Sequence, residues 1–492
     1  MKIKKSIYSV LGMCLLLSTQ GCNKYLDKEP DNRTEINSVE KVAQLVATAY
    51  PQSDYYTFTE AASDNAEDKG NGVGTIDDVS TLPYFWKDVI GDDTGTSTSY
   101  WNGCYSGIAA ANQALESIEK NNLGNGALPY KGEALVARAY AHFMLVTFFA
   151  KEYVIGGAND SPGIPYVTAP ETKVIQQYDR GTVQSTYEKI EKDLTEGIAL
   201  LSATAYKVPK YHFTPAAAHA FASRFYLFKG EWQKVIDHAN AVTVGGDYTG
   251  IVRPINSTLF ALSTADYRAA FTRSDQKYNL LLANQYSVYQ RLTSPKYGYG
   301  ANLVKMFAAG GVYGNITGKA YANKILSYGV PNYTTYKYYE YFFLTDQVAQ
   351  IGYPYLMAPL LTTDEALLNR GEAYAKLGQY DNALKDANLI LANTVRGYTA
   401  SDAATQAKVA TFYNIADPKE GIVKLILDIK KAQFLQEGMR WMDLVRNHLP
   451  VKHNLFDASG VETTVTLEAN DPRRVFQIPE QAKLSGVPLN PR

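Results

Sequence analysis

The sequence predicts a mostly α-helical protein in which paired helices form the scaffold and long loop-rich insertions interrupt it, all within one large domain. Three observations predict this. Apolar and small residues recur at three- and four-residue spacing in several long segments. Two segments repeat a helix–glycine–helix pattern. Between them, residues 245–360 are rich in Tyr, Gly, Asn and Thr and weak in helical period.

The elements read in order as follows. Val39 to Tyr50 is a first helix, and residues 52–100 are irregular, with many Gly, Asp, Ser and Thr. Trp101, Tyr105, Ile108, Asn112 and Leu115 then share one helical face. Gly132 to Ala150 is helical, with Leu135, Ala139, Phe143 and Val146 as its stripe. Gly156-Gly157 and Pro162 to Pro165 break the chain. A further helix runs from Thr182 to Leu201, with candidate N-caps at its start. Pro215 suits a first helical turn, and that helix runs to about Lys229. The next begins near Trp232. Helices return at Thr363, and the last clear one spans about Glu420 to Arg446.

The helical pairs near 215–243 and 364–393 look alike. The second contains Gly371, Tyr374, Gly378, Tyr380, Ala383 and Ala387, which fits the spacing of tetratricopeptide (TPR) repeats. Gly378 can take the left-handed conformation that ends a helix, and Ala383 lets two helices approach closely. The first pair, with Tyr226, Gly230, Trp232 and Val235, matches less well. Two recognisable units are fewer than a free-standing solenoid needs, so these helices must share a core with other elements.

Composition bounds the function. A chain of 492 residues, 46% hydrophobic and 20% charged, buries a large core unaided. A net charge of −1 gives no electrostatic case for nucleic acid. The chain has 38 Tyr against 18 Phe and 4 Trp, and tyrosine is over-used at binding surfaces.

The N-terminus carries an export signal. Lys2, Lys4 and Lys5 precede an apolar run from Ile7 to Leu17, the length of a signal-peptide core and too short to span a bilayer. Gly21-Cys22 follows and resembles a bacterial lipoprotein cleavage site, although Gln20 is not the usual small residue. The expected organisation is a lipoprotein signal peptide at 1–21, a lipidated tether at 22–35 with Cys22 carrying the lipid, and one helical domain at 36–492. Ordinary secretory cleavage, with Cys22 and Cys104 pairing, is the alternative. No later segment is apolar enough to span a membrane.

Motifs for chemistry are missing. The six His form no ligand pair, and there is no nucleophile elbow or P-loop. Cys104 reads as a small buried thiol. Asp77-Asp78 and Asp92-Asp93 sit in loops and offer at most a structural calcium site. No enzyme, catalytic residue, metal or other cofactor is expected. In Glu437 to Arg446, Glu437 and Arg440 are three apart, as are Asp443 and Arg446, so each pair can meet on a helix.

Several segments together resemble one family. They are Cys22 to Pro30, Ala62 to Asn65, Trp101 to Asn112, Ala137 to Tyr140, Gly163 to Pro165, Leu367 to Tyr374, Gln436 to Arg446, Ile478-Pro479 and Asn490-Pro491. In this order they are similar to the SusD/RagB-like nutrient-binding lipoproteins of Bacteroidetes. Ile429 and Gln433 stand where that family usually has acidic residues. The resemblance implies an outer-membrane lipoprotein, facing outward, that captures oligosaccharide for a SusC-like TonB-dependent transporter. Its TPR-like helices would face the transporter and its loop-rich side the ligand. A peptide ligand, as in RagB-type members, is the alternative. A TPR adaptor and a secreted glycan-degrading enzyme are more distant readings.

Two irregular regions carry the candidate ligand residues. The first holds Tyr55, Tyr56, Asp64, Asn65, Tyr84, Phe85 and Trp86, and the second holds Tyr297, Tyr299, Tyr313, Tyr333, Tyr336, Tyr338 and Tyr339. From these, Trp86, Tyr84, Tyr55, Asp64, Asn65, Tyr297, Tyr299 and Tyr336 are expected to line the site, because a loop aromatic is less easily explained as core than one on a helical stripe.

Overall fold

Helix caps set where most elements begin. The structure, a computed structural model, describes residues 35–173, 175–292, 294–310, 315–335 and 337–492. Cys22, the signal segment, Tyr313 and Tyr336 lie outside the described residues. Ser38 caps α1 (Val39–Val46) by accepting the Lys41 amide at 3.3 Å. Two short helices follow, α2 (Tyr56–Ala62) and α3 (Asp78–Tyr84), inside the stretch that reads as irregular. Each has seven residues, too few for a helical period to show. Asp77 caps α3 through the Ser80 amide at 2.9 Å, which occupies one oxygen of a carboxylate read as a loop charge.

The long helices α4 (Ser97–Lys120), α5 (Leu128–Phe149) and α6 (Val183–Ile198) pack side by side. From Gly132 to Phe149, α5 is buried on every side. Arg138 joins the three, donating to Asp193 of α6 at 2.7 and 2.8 Å and to Asn112 of α4 at 2.8 Å. Thr182 and Ser185 form a reciprocal capping box at the start of α6.

The helical pairs come next. α7 (Pro215–Lys229) turns through Gly230 at φ 72° into α8 (Trp232–Ala241). After α9 (Thr264–Phe271) and α10 (Ala301–Phe307), α11 (Thr363–Lys376) turns at Gly378, φ 75°, into α12 (Tyr380–Thr394). Ala383 and Ala387 are fully buried at the helix contact. Arg224 of α7 donates to both carboxylate oxygens of Glu365 on α11, and Arg370 of α11 does the same to Asp386 on α12. The series closes with α13 (Gln406–Tyr413), α14 (Pro418–Gln433) and α15 (Met439–Arg446). The expected single helix from Glu420 to Arg446 is therefore two. Gly438 takes φ 68° between them, a left-handed turn that ends the helical hydrogen-bond ladder.

Residues 245–360 have no helical period because they hold most of a sheet. Strands β2 (Asn279–Tyr286), β7 (Ile351–Thr362) and β6 (Glu340–Asp346) pair antiparallel in the order β2-β7-β6. Small ribbons accompany it: β1 (Glu67–Asp68) with β3 (Tyr297–Gly298), β4 (Leu326–Ser327) with β5 (Tyr333–Thr334), and β8 (Val451–Phe456) with β9 (Glu462–Leu467). Residues Ser38–Arg492 form one unit.

Candidate functional site

The loop aromatics expected to line a site come together, but they face inward. Trp86, His453, Tyr84 and Tyr297 form one stack, with ring centroids 4.6, 4.0 and 4.5 Å apart in turn. Trp86 is 7% exposed and donates its indole N–H to the Ala62 carbonyl at 3.0 Å. Tyr84 is fully buried and donates to the Asn454 carbonyl at 2.6 Å. Tyr55 is core, packed on Tyr100 and Phe148. Tyr297 is half-buried, with the Lys296 ammonium over its ring. Trp86, Tyr84 and Tyr55, expected to line the site, are thus buried in this structure. They stand at the ends of α2 and α3, and each ring finds an aromatic or carbonyl partner there.

The polar candidates are also engaged. Asn65 donates to Glu60 at 2.9 Å, and so does the half-buried Tyr299. Asp64 accepts from Arg440 at 2.7 and 2.8 Å and from Lys431 at 3.1 Å. Burial disfavours the Asp64 charge, but Lys431 and Arg440 outweigh it and hold the carboxyl well below its usual range. Asp64 and Asn65 lie on the wall of an 880 Å³ cavity that also holds Lys424, Asp428 and Lys452. Its charges are largely paired with one another, which suits a structural junction.

A different cleft, of 670 Å³, has the character of a ligand site. Its floor is one face of the sheet. Tyr286 of β2 is opposite Tyr355 of β7, and Asn284 is opposite Met357. Directly paired residues share a face, and so do residues two apart on a strand. Asn284, Tyr286, Tyr353, Tyr355 and Met357 therefore line the cleft together. Gln285, Leu356 and Ala358 point the other way and are buried. The Tyr286 ring meets Tyr353 edge-on at 5.5 Å and Tyr355 at 5.9 Å.

The opposite wall is the turn after α1 laid along α4. Two glycines make that approach possible. A Cβ on Gly103 would stand 2.7 Å from the Ser53 nitrogen, and one on Gly107 would stand 2.8 Å from the Tyr50 carbonyl oxygen. The turn is tied to the sheet where the Tyr286 amide donates to Gln52 at 2.7 Å. It contributes Thr48, Gln52 and Ser53, while α4 contributes Ser99, Asn102 and Ser106. Among the described lining residues, Asp92 is the one charged side chain. Tyrosine faces beside amides and hydroxyls suit a neutral, polyhydroxylated ligand with apolar ring faces. Behind Ser53, burial pushes the Asp54 carboxyl up to about 6.

Sequence reasoning missed Tyr286, Tyr353 and Tyr355. The available signal was the two-residue alternation of Tyr353 with Tyr355 and of Tyr339, Tyr341 and Phe343, a strand period in a region read as loop.

The described residues thus form a paired-helix scaffold that carries an aromatic cleft on an inserted sheet. Comparison with known proteins finds relatives that share this fold. A SusD-like family model, described as "Starch-binding associating with outer membrane", matches residues 24–227. "SusD-like protein P2" of Formosa agariphila is 27% identical over 158 residues, covering 31% of this chain and 28% of that protein. A SusD superfamily protein from Bacteroides vulgatus has a TM-score of 0.63 at 19% identity, covering 92% of this chain and 99% of that one. One from Bacteroides fragilis has a TM-score of 0.63 at 18% identity, covering 92% and 99%. A SusD-like carbohydrate binding protein from Bacteroides vulgatus gives 0.62 at 14%, covering 91% and 96%. The family match covers residues 24–227, and the solved structures, all below 20% identity, share the fold over more than nine-tenths of the chain. That family is described as associating with the outer membrane, and no described helix is long and apolar enough to cross a membrane.

Proposed function

We propose that the protein is a nutrient-binding lipoprotein that captures oligosaccharide at the outer membrane and delivers it to a SusC-like TonB-dependent transporter. Lipid on Cys22 holds it at the membrane, facing outward. It binds without turnover. The observation that carries this reading is the uncrowded cleft in which Tyr286, Tyr353 and Tyr355 face amide and hydroxyl side chains. Sugar rings lay their apolar faces on such aromatics, while Asn102, Asn284 and Gln52 are placed to bond hydroxyls.

The test is calorimetry on residues 23–492 against a panel of polysaccharides, oligosaccharides and peptides, with product analysis of each mixture. The expected result is glycan binding without product. Tyr355→Ala then weakens it about tenfold through loss of one stacked ring, with thermal unfolding little changed. Binding that survives Tyr355→Ala and Tyr353→Ala intact removes the cleft as the site. Product formation, or binding of peptides alone, overturns the function.

A further inference from the structure

The tyrosine floor does not stop at the mouth of the cleft. Across the sheet, Tyr355 of β7 is opposite Tyr341 of β6, and Tyr353 is opposite Phe343. Tyr341 and Phe343 therefore share the face on which Tyr286, Tyr353 and Tyr355 line the cleft. They continue that face along a hairpin and are 50% and 63% exposed. With strands about 4.8 Å apart and about 3.4 Å per residue, the continuous aromatic face measures about 10 Å across and about 7 Å along.

Packing does not account for these rings. Phe342, between them and on the opposite face, is 46% exposed but has the Arg291 guanidinium over its ring at 5.5 Å. Arg291 is itself fixed by Glu340 at 2.7 and 2.8 Å at the base of the hairpin. Tyr341 has only the edge of Tyr339 beside it among the described ring contacts, at 5.3 Å. A terminal strand of a sheet that shows open aromatic rings is an aggregation hazard, which proteins usually blunt with charge or cover. Here a guanidinium lies against the back of the hairpin, while the front rings stand open in line with the cleft.

We infer that Tyr341 and Phe343 form an outer binding platform, on which the far end of the chain held in the cleft lies. The protein therefore selects extended neutral glycans over short ones. This rests on the glycan reading above. The occupant is set by continuity. Whatever leaves the cleft across Tyr355 meets Tyr341 next, and no charged side chain stands on that path within the two facing rows.

The experiment compares wild type with a Tyr341→Ala/Phe343→Ala double variant. The probes are length ladders of two to eight units of α-1,4-, β-1,4- and β-1,3-linked glucose. Thermal unfolding first confirms that the variant folds, and Tyr355→Ala serves as a cleft variant. On the ladder that binds, wild-type affinity climbs with length beyond what the cleft encloses. The double variant loses that climb, about tenfold at the long end, and keeps wild-type affinity for the shortest binding member, whereas Tyr355→Ala weakens every length. A climb that survives in the double variant overturns the platform alone, as does an equal loss at every length. Silence of all ladders with the folded wild type overturns the glycan reading and the platform with it.

Discussion

Asp54 is the residue where the cleft wall carries a cost. Its Oδ1 accepts the Tyr56 amide at 3.0 Å, and Ser287 also favours its charge, yet burial prevails and the pKa rises from 3.8 to about 6. The folded protein thus holds this proton more tightly than the unfolded chain. The stabilisation from that protonation is complete below pH 3.8 and is lost as the pH rises to about 6. Above that window the buried charge costs about 3 kcal/mol relative to acid conditions. Asp54→Asn is therefore expected to raise the melting temperature at pH 7.5 and to change it little at pH 4. A shift that is the same at both pH values would contradict the assignment. Residues of this kind are not legible in a sequence. Nothing in Ser53-Asp54-Tyr55 says that the carboxylate turns inward, and nothing near Trp86 says that an imidazole 367 positions away will stack on it. Cys104, which sits on a visible helical stripe, was legible as a buried thiol, and burial does push its pKa up.

Among the elements, α15 shows what charge spacing can and cannot tell. Asp443 and Arg446 meet at 2.7 Å, as their spacing of three predicts. Glu437 and Arg440 do not. Gly438 breaks the helix between them, and Glu437 is taken by Arg253 at 2.7 Å and Lys337 at 2.8 Å while Arg440 goes to Asp64. Gln433 donates to Asp364 at 2.7 Å and so bonds the junction without a charge of its own. Another link is Glu372 on α11, held by Arg446 of α15 and Lys430 of α14. Burial opposes its ionisation, but the two cations prevail and bring its pKa from 4.5 to about 2. Its stabilisation is present above pH 4.5 and is lost as the pH falls toward 2. Glu372→Gln leaves both cations short of their partner and is expected to cost about 3–5 kcal/mol at pH 7, measured by urea unfolding. The cost shrinks toward pH 2.5, where most of the stabilisation from this ionisation has gone, because the unfolded carboxyl is already protonated. An undiminished cost at low pH would show that lost packing, not charge, was responsible.

At the scale of the whole molecule, the helical scaffold was readable and the proposed ligand face was not. Gly378, Tyr380 and Ala383 declare a helical pair because helix contact constrains residues that are near in sequence. The cleft joins residues 47–53, 99–106, 282–286 and 353–357, and only tertiary contact brings those together. The same long-range logic governs how the body is closed. Phe476 packs on Phe58 at 4.7 Å, Asn454 and Phe456 bond Asp68, and Asn490 bonds Phe149 and accepts from Arg180. Deleting residues 451–492 should therefore uncover Phe58, Tyr84 and Trp86. The expected product binds a hydrophobic dye and lacks a cooperative thermal transition. A truncated chain that melts sharply would refute this.

That closure has a bearing on the protein's birth. Synthesis runs from the amino end, and α2 is among the early elements to emerge, yet its cover is made last. Until the final strands and tail leave the ribosome, α2 and the rings around it have no finished interior to enter. Residues 451–492 thus decide when those rings leave water.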